Sequence, residues 1–298
     1  MQTNSAEISL KGKRAFISGG TRGLGLDIAK TFIGLGANVA FCGRSTTEVS
    51  KAEKDLRALN SPLGKYQVEG FVTDISDNDQ VKKLKSEVNN DFGQIDILIC
   101  NAGVIGPMSK FLTNDLEKWI SALNINLLGS VFLTKAFLPS MIESGKGKIV
   151  QLSGGGAASP LPGLSSYAAS KAGVIRFIET LAEEYKDTGV DINAVAPGML
   201  KTRMLDEMLE AGPDLVGDRL YKKSVAKAAD QVDSTEKACA LITFLASSLS
   251  DGITGKLISA EWDNWTEWPN HIEELRNSDL YTLRRIVGND RGHTWGDI

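Results

Sequence analysis

The sequence predicts an α/β protein: a doubly wound parallel sheet of about seven strands with helices on both faces. Three observations predict it. Short apolar runs alternate with segments of helical periodicity through residue 260, the pattern of strands joined by crossover helices. The first such run leads into a glycine-rich turn and then a helix, an order that belongs to parallel sheets with ligand crevices at their strand ends. The chain of 298 residues is 42% hydrophobic, enough for the core of one large domain or two small ones. Strands are expected at 14–18, 38–43, 66–73, 95–99, 147–153, 190–195 and 256–260. Helices are expected at 24–35, 46–59, 78–91, 115–142, 166–186, 203–211 and 234–246. Residues 1–260 then form one domain and 261–298 an extension.

The first strand, Arg14 to Ser18, is followed by Gly19-Gly-Thr21-Arg22-Gly23-Leu24-Gly25 and the apolar-periodic run Ile28, Ala29, Phe32, Ile33. Glycines permit a tight turn and let backbone approach a phosphate closely. The helix then presents its first amides and the positive end of its dipole to the anion. The second strand ends at Arg44. In dinucleotide folds an acidic residue near that point holds the ribose 2′-hydroxyl. Here Arg44 stands there and Arg22 lies inside the glycine loop, so a 2′-phosphate is expected, and NADPH over NADH.

Tyr167 and Lys171 lie four residues apart in Ser166-Tyr-Ala-Ala-Ser-Lys171, a segment that reads as helix. That spacing puts both on one face, one turn apart. A phenol titrates near pH ~10, and a neighbouring ammonium favours its ionised form. The pair suits proton exchange with an alcohol or ketone.

With these residues in view, the chain resembles the short-chain dehydrogenase/reductase family over about residues 10–258. The glycine motif matches, with Ser18 where the family usually has Thr. Asp74-Ile75 look like the family's adenine contact. Asn101-Ala102-Gly103 matches its N-A-G motif. Asn126 resembles the helix asparagine of its proton relay, and Tyr167 with Lys171 matches Y-x-x-x-K. Pro197-Gly198, with Leu200 and Thr202, matches the stretch that contacts the nicotinamide end. The resemblance implies a Rossmann-type fold and an NADP-dependent oxidoreductase acting on a small-molecule carbonyl or alcohol. It implies Tyr167 as proton donor, Lys171 as its modulator and ribose ligand, and Asn126 as the link to water. It also implies a homodimer or homotetramer.

One position departs from the family. A Ser about thirteen residues before the Tyr normally polarises the carbonyl, and here that position is Gly154. Its neighbour Ser153 carries a hydroxyl. Adjacent strand residues point to opposite faces, but Gly154-Gly-Gly156 ends the strand, where a bulge would turn Ser153 inward. Ser153 is therefore the candidate donor, with Ser165 and Ser166 as others.

Composition narrows the function classes. The net charge is −4, with no long basic run, so neither nucleic acid nor an anionic membrane is an expected partner. Cys42, Cys100 and Cys239 have no paired or metal-like spacing, and the two histidines, His271 and His293, lie near the C-terminal end. No metal site and no Ser-His-Asp triad is expected. The N-terminal residues lack a signal pattern, and a soluble cytoplasmic protein is expected.

Residues 200–230 mix apolar and cationic side chains where the family has its substrate loop. Beyond Asp263 come thirty-five further residues that, with Trp262, hold Trp265, Trp268 and Trp295. Such an aromatic, polar segment either lids a sugar or nucleotide pocket or anchors itself in the core. The expected substrate is a keto-sugar or nucleotide-linked sugar, and next a 3-oxoacyl thioester. The alternatives are a sugar epimerase and a non-catalytic NADP(H)-sensing protein.

Overall fold

A computed structural model describes residues 8–59, 61, 63–230 and 235–295. Seven strands form one parallel sheet: β1 (Arg14–Ser18), β2 (Asn38–Gly43), β3 (Val68–Val72), β4 (Ile97–Cys100), β5 (Gly147–Leu152), β6 (Val190–Ala196) and β7 (Leu257–Ser259). Their order is β3-β2-β1-β4-β5-β6-β7. It reverses between β1 and β4, and that switch point opens a crevice at the carboxyl ends of the strands.

Each sheet face is covered. On one side α1 (Gly23–Gly34), α2 (Thr46–Arg57) and α10 (Thr235–Ala246) bury Ile28, Phe32, Leu56 and Ile242. On the other, α3 (Asn78–Asp91), α5 (Gly129–Glu143) and α6 (Ser165–Glu184) bury Leu84, Phe137 and Ile178. Strand β5 divides its side chains accordingly, Val150 and Leu152 to the first cluster and Ile149 to the second. Burial on both faces is why the strands read as near-continuous apolar runs.

Three elements differ from expectation. The helix expected over 115–142 is α4 (Leu116–Leu123), a π turn at Asn124–Leu128, and then α5. The π turn carries Asn126, and such bulges concentrate at functional sites. This run, Leu116–Glu143, is apolar enough by composition to cross a membrane. Its apolarity is that of a core helix, because Leu133, Phe137 and Met141 are fully buried against the sheet. After α7 (Arg203–Ala211) come two helices that were not expected, α8 (Pro213–Val216) and α9 (Asp218–Ala229). Gly212 and Gly217, both at positive φ, separate them. The expected start of the last domain helix, residue 234, lies outside the described residues.

Residues 261–295, expected to be an extension, pack on the sheet edge and α10. Trp268 is buried, its ring 4.4 Å from that of Tyr281, and Trp265 lies 5.3 Å from Phe244 of α10. Leu257 N donates to Tyr281 O at 2.8 Å, and Lys256 Nζ donates to Ser278 O and Leu280 O. These bonds cover the free edge of β7, an edge that would otherwise expose unpaired backbone groups. Leu283 N donates to Glu179 Oε1 at 2.6 Å, tying the segment to α6.

Candidate active site

The strand ends open into one cavity of about 2510 Å³. The residues singled out from sequence line it: the glycine loop at Gly19, Thr21, Arg22, Gly23, Leu24 and Gly25, then Arg44, Asp74, Ile75, Asn101 to Gly103, Ser153, Tyr167, Lys171, Pro197, Gly198, Leu200 and Thr202. Asn126 stands behind the wall and is not among the lining residues.

The glycine loop is shaped by close approach. A Cβ on Gly25 would lie 2.2 Å from Gly19 O and 2.5 Å from Asn101 Nδ2, and Gly23 sits at φ +53. No side chain fits at Gly25, and the left-handed backbone at Gly23 favours glycine. The loop is braced from β4. Ser18 Oγ accepts from Asn101 N at 3.0 Å and from Ala102 N at 3.1 Å, while Asn101 Nδ2 donates to Ser18 O and Gly19 O. The Ser in place of Thr thus supplies the hydroxyl that joins the two strand ends, a role the sequence reading did not assign to it. Arg22 caps α1 without a side-chain bond, and no acidic residue occupies the first turn. The first amides of α1 are therefore left for an anion. A cofactor diphosphate fits this cradle.

Two charges flank it. Arg22 Nη1 lies 2.7 Å from Glu48 Oε1 of α2. Arg44 lines the cavity at the end of β2 and has no acidic partner among the described residues. Glu48 was not anticipated; it became visible only when α2 folded back over the loop. Asp74 Oδ1 accepts from Ser76 N and Oγ, which fixes its carboxylate at the rim.

At the other end, Lys171 Nζ is buried and donates to Leu152 O at 2.7 Å. It lies 5.8 Å from the centre of the Tyr167 ring. Burial lowers Lys171 to about 8 and pushes the Tyr167 phenol up to about 12. The sequence-based expectation of a lowered phenol pKa is thus reversed here, because loss of solvent outweighs an ammonium whose bond is made to the backbone. Asn126 clamps Val104, accepting from its N at 2.8 Å and donating to its O at 2.9 Å, and donates also to Ser170 Oγ. A Cβ on Gly103 would meet both Asn126 Oδ1 and Lys171 Nζ, at 3.2 and 3.5 Å. The three residues therefore adjoin.

Gly154, not Ser153, is the residue whose missing side chain points at the phenol. Ser153 Oγ is buried, without a hydrogen-bond partner, in a residue that lines the cavity. Ser165 Oγ accepts from Trp119 Nε1 at 2.9 Å, and Ser166 is buried behind Gly106; neither lines the cavity. Tyr167 packs against an apolar cluster from α7, α8 and α9, Leu205, Met208 and Val216, with Met199, Met204 and Leu220 packed on it, and these residues line the same cavity. From the extension, Trp262 and Tyr281 line the cavity, and Glu261 lies over Gly198.

Comparison with known proteins bears on this arrangement. A family model described as "short chain dehydrogenase" matches residues 13–212. The 3-oxoacyl-[acyl-carrier-protein] reductase FabG of Haemophilus influenzae is 33% identical over 252 residues, covering 83% of this chain and 95% of that one. The short chain dehydrogenase pigC of Monascus ruber is 29% identical, over 85% of this chain and 80% of that one. Among solved structures, a gluconate 5-dehydrogenase from Burkholderia cenocepacia in complex with NADP and tartrate superposes with a TM-score of 0.74. It is 25% identical, covering 85% of this chain and 94% of that one.

Proposed function

Because the chain belongs to the short-chain dehydrogenase/reductase family, we propose that it is an NADPH-dependent reductase of a carbonyl borne on an apolar chain, or catalyses the reverse alcohol oxidation. When bound, the nicotinamide supplies or accepts the hydride. The protein's own groups do the rest. The amides of α1 and the braced glycine loop hold the diphosphate, and Pro197 to Thr202 border the nicotinamide end. Tyr167, protonated well above neutral pH, gives its proton to the carbonyl oxygen. Lys171 holds positive charge beside it, and Asn126 keeps the Val104 backbone in place.

The observation that carries the substrate reading is the apolar cavity lining beside Tyr167, where Met199, Met204, Leu205 and Met208 gather. Methionine adapts its shape to flexible apolar groups. A 3-oxoacyl thioester, the substrate class in the names of several relatives, suits such a wall. The keto-sugar reading rested on the tryptophans of the extension, and Trp265 and Trp268 are occupied by packing on the domain. For cofactor choice, Arg44, without an acidic partner among the described residues, supports NADPH, as does the NADP in the gluconate 5-dehydrogenase complex.

Ser153 is the proposed carbonyl-polarising donor, since the residue lines the cavity and its buried hydroxyl has no hydrogen-bond partner among the described residues. Loss of one such donor commonly costs about 10²–10³ in rate, so Ser153→Ala should slow turnover by that much. Leu127, Val131, Phe177 and Leu181 remain half-buried on α5, α6 and the turn before them. They support a homodimer or homotetramer.

The test is NADPH oxidation against 3-oxoacyl thioesters, keto-sugars and simple ketones, with Tyr167→Phe in parallel. Turnover of the thioesters that vanishes in the variant supports the reading. Tight NADPH binding with no turnover of any ketone would overturn it in favour of a dinucleotide-sensing protein.

A further inference from the structure

We propose that Gly154 is a positioning residue for Tyr167, its lack of a side chain being what lets the phenol rest against the end of β5. The inference builds on the reading of Tyr167 as proton donor. A Cβ on Gly154 would lie 2.2 Å from Tyr167 Oη, 3.1 Å from Cζ and 3.3 Å from Cε1. All three contacts are to the tip of one side chain. No packed Cβ tolerates 2.2 Å, so any other residue at 154 drives the phenol out of its place.

Backbone conformation does not require this glycine. Gly154 is absent from the glycines at positive φ, so an L residue fits its dihedrals. Its neighbours in the triple-glycine run behave differently: a Cβ on Gly155 meets nothing within 4 Å, and one on Gly156 meets Leu161 and Ala168. Only Gly154 is matched to Tyr167.

The fit involves the whole donor unit. Lys171 Nζ is bonded to Leu152 O, two residues before Gly154, at 2.7 Å. Ser170 Oγ, on the same turn of α6, accepts from Asn126 and donates to Tyr167 O. The helix carrying Tyr167 and Lys171 is therefore fixed to the strand end, and the ring has no rigid-body escape. In the family pattern a Ser stands at this position. Here the phenol occupies that Ser's room, so serine and phenol compete for one volume. The site is not a serine site with its serine deleted, and restoring the serine displaces the proton donor instead of completing the site.

The experiment is a double-mutant cycle in the full chain: Gly154→Ala and Gly154→Ser, each with and without Tyr167→Phe. Thermal unfolding is read for all variants, and pH profiles of NADPH oxidation for those that keep Tyr167. Each single change at 154 should lower the Tm by about 3 °C or more, the scale of overpacking in a domain of this size. In the Tyr167→Phe background the same change should cost less than half as much, because the atom at 2.2 Å is gone. Turnover should fall at least about tenfold, and the alkaline limb of the profile should move, while NADPH still binds. Equal Tm losses in both backgrounds would overturn the proposal, as would a Gly154→Ser enzyme faster than the parent. The Tm cycle reports on packing whether or not the protein is a reductase, so a parent chain with no turnover would count against the proposed function alone.

Discussion

Arg22 and Glu48 form a 2.7 Å ion pair across the mouth of the glycine loop, with both side chains about half exposed. An exposed pair of this kind contributes only about 0–1 kcal/mol. Arg22 can therefore exchange Glu48 for a phosphate at little cost, while Arg44 has no acidic partner among the described residues to give up.

The first prediction follows from that asymmetry. A charge-assisted hydrogen bond is worth about 1.5–3 kcal/mol, and each 1.4 kcal/mol is tenfold in affinity. Arg44→Asp should therefore lower the preference for NADPH over NADH about 10- to 100-fold. Glu48→Gln, which frees Arg22, should strengthen NADPH binding severalfold and leave NADH unchanged. Fluorescence titration with both cofactors decides this, and unchanged selectivity in Arg44→Asp would sink the assignment.

The second prediction concerns pH. Burial lowers Lys171 to about 8 and raises Tyr167 to about 12. Below pH about 8 the ammonium is charged and the phenol protonated, the state needed for reduction. As pH rises through about 8 the charge at Lys171 is lost while the phenol stays neutral. The kcat/KM for reduction, which reports the free enzyme, should be flat below that point and decline above it. Lys171→Met should abolish the break and leave a low, flat profile. Tyr167→Phe should lose about 10²–10⁴ in rate, the share of a positioned general acid. An alkaline break that persists in Lys171→Met would assign it to another group.

A third prediction tests the brace between β1 and β4. Removing the Ser18 hydroxyl leaves the amides of Asn101 and Ala102 without their shared acceptor. Buried unsatisfied donors cost about 1–3 kcal/mol. Ser18→Ala should lose that much stability in denaturant unfolding and bind NADPH more weakly, because the loop it holds is the diphosphate cradle. Ser18→Thr, with the hydroxyl kept, should do neither. A Ser18→Ala chain of parental stability and affinity would show the brace to be dispensable.

How much of this was legible in the sequence depends on the range of the interaction involved. The seven strands and the glycine turn could be read because their signals are local: apolar runs such as Val39 to Cys42, and a turn that favours glycine at Gly23 and admits no side chain at Gly25. The alignment of Tyr167 with Lys171 needed only helical periodicity. Helix α9 was missed because its buried side is marked by Ser224, a polar residue that bonds to Leu220 O of its own helix. The π turn was missed because one extra residue per turn leaves the apolar pattern nearly unchanged. Glu48 beside Arg22 and Gly154 against Tyr167 pair residues distant in the chain, and no spacing rule reports such contacts. The two readings of the extension could not be separated by composition either, since a lid and a core anchor use the same tryptophans.

The extension yields the last prediction. Trp268 is buried against Tyr281, Trp265 packs half-buried on Phe244, and Tyr281 O takes the amide of Leu257 on the sheet edge. Truncation after Asp263 would strip these groups at once, baring the α10 surface and an unpaired strand edge, the usual template for aggregation. The truncated chain should therefore aggregate or unfold well below the parent Tm. Trp268→Ala alone should cost about 3–5 kcal/mol, as for other large aromatic truncations in cores. Trp262 behaves differently, because it is 85% exposed and lines the cavity. Trp262→Ala should leave the Tm unchanged and alter KM for the substrate. Size-exclusion chromatography, calorimetry and kinetics on the three variants separate the roles. A truncated chain that stays monodisperse at the parental Tm, losing only substrate affinity, would make the whole extension a lid and remove its structural part.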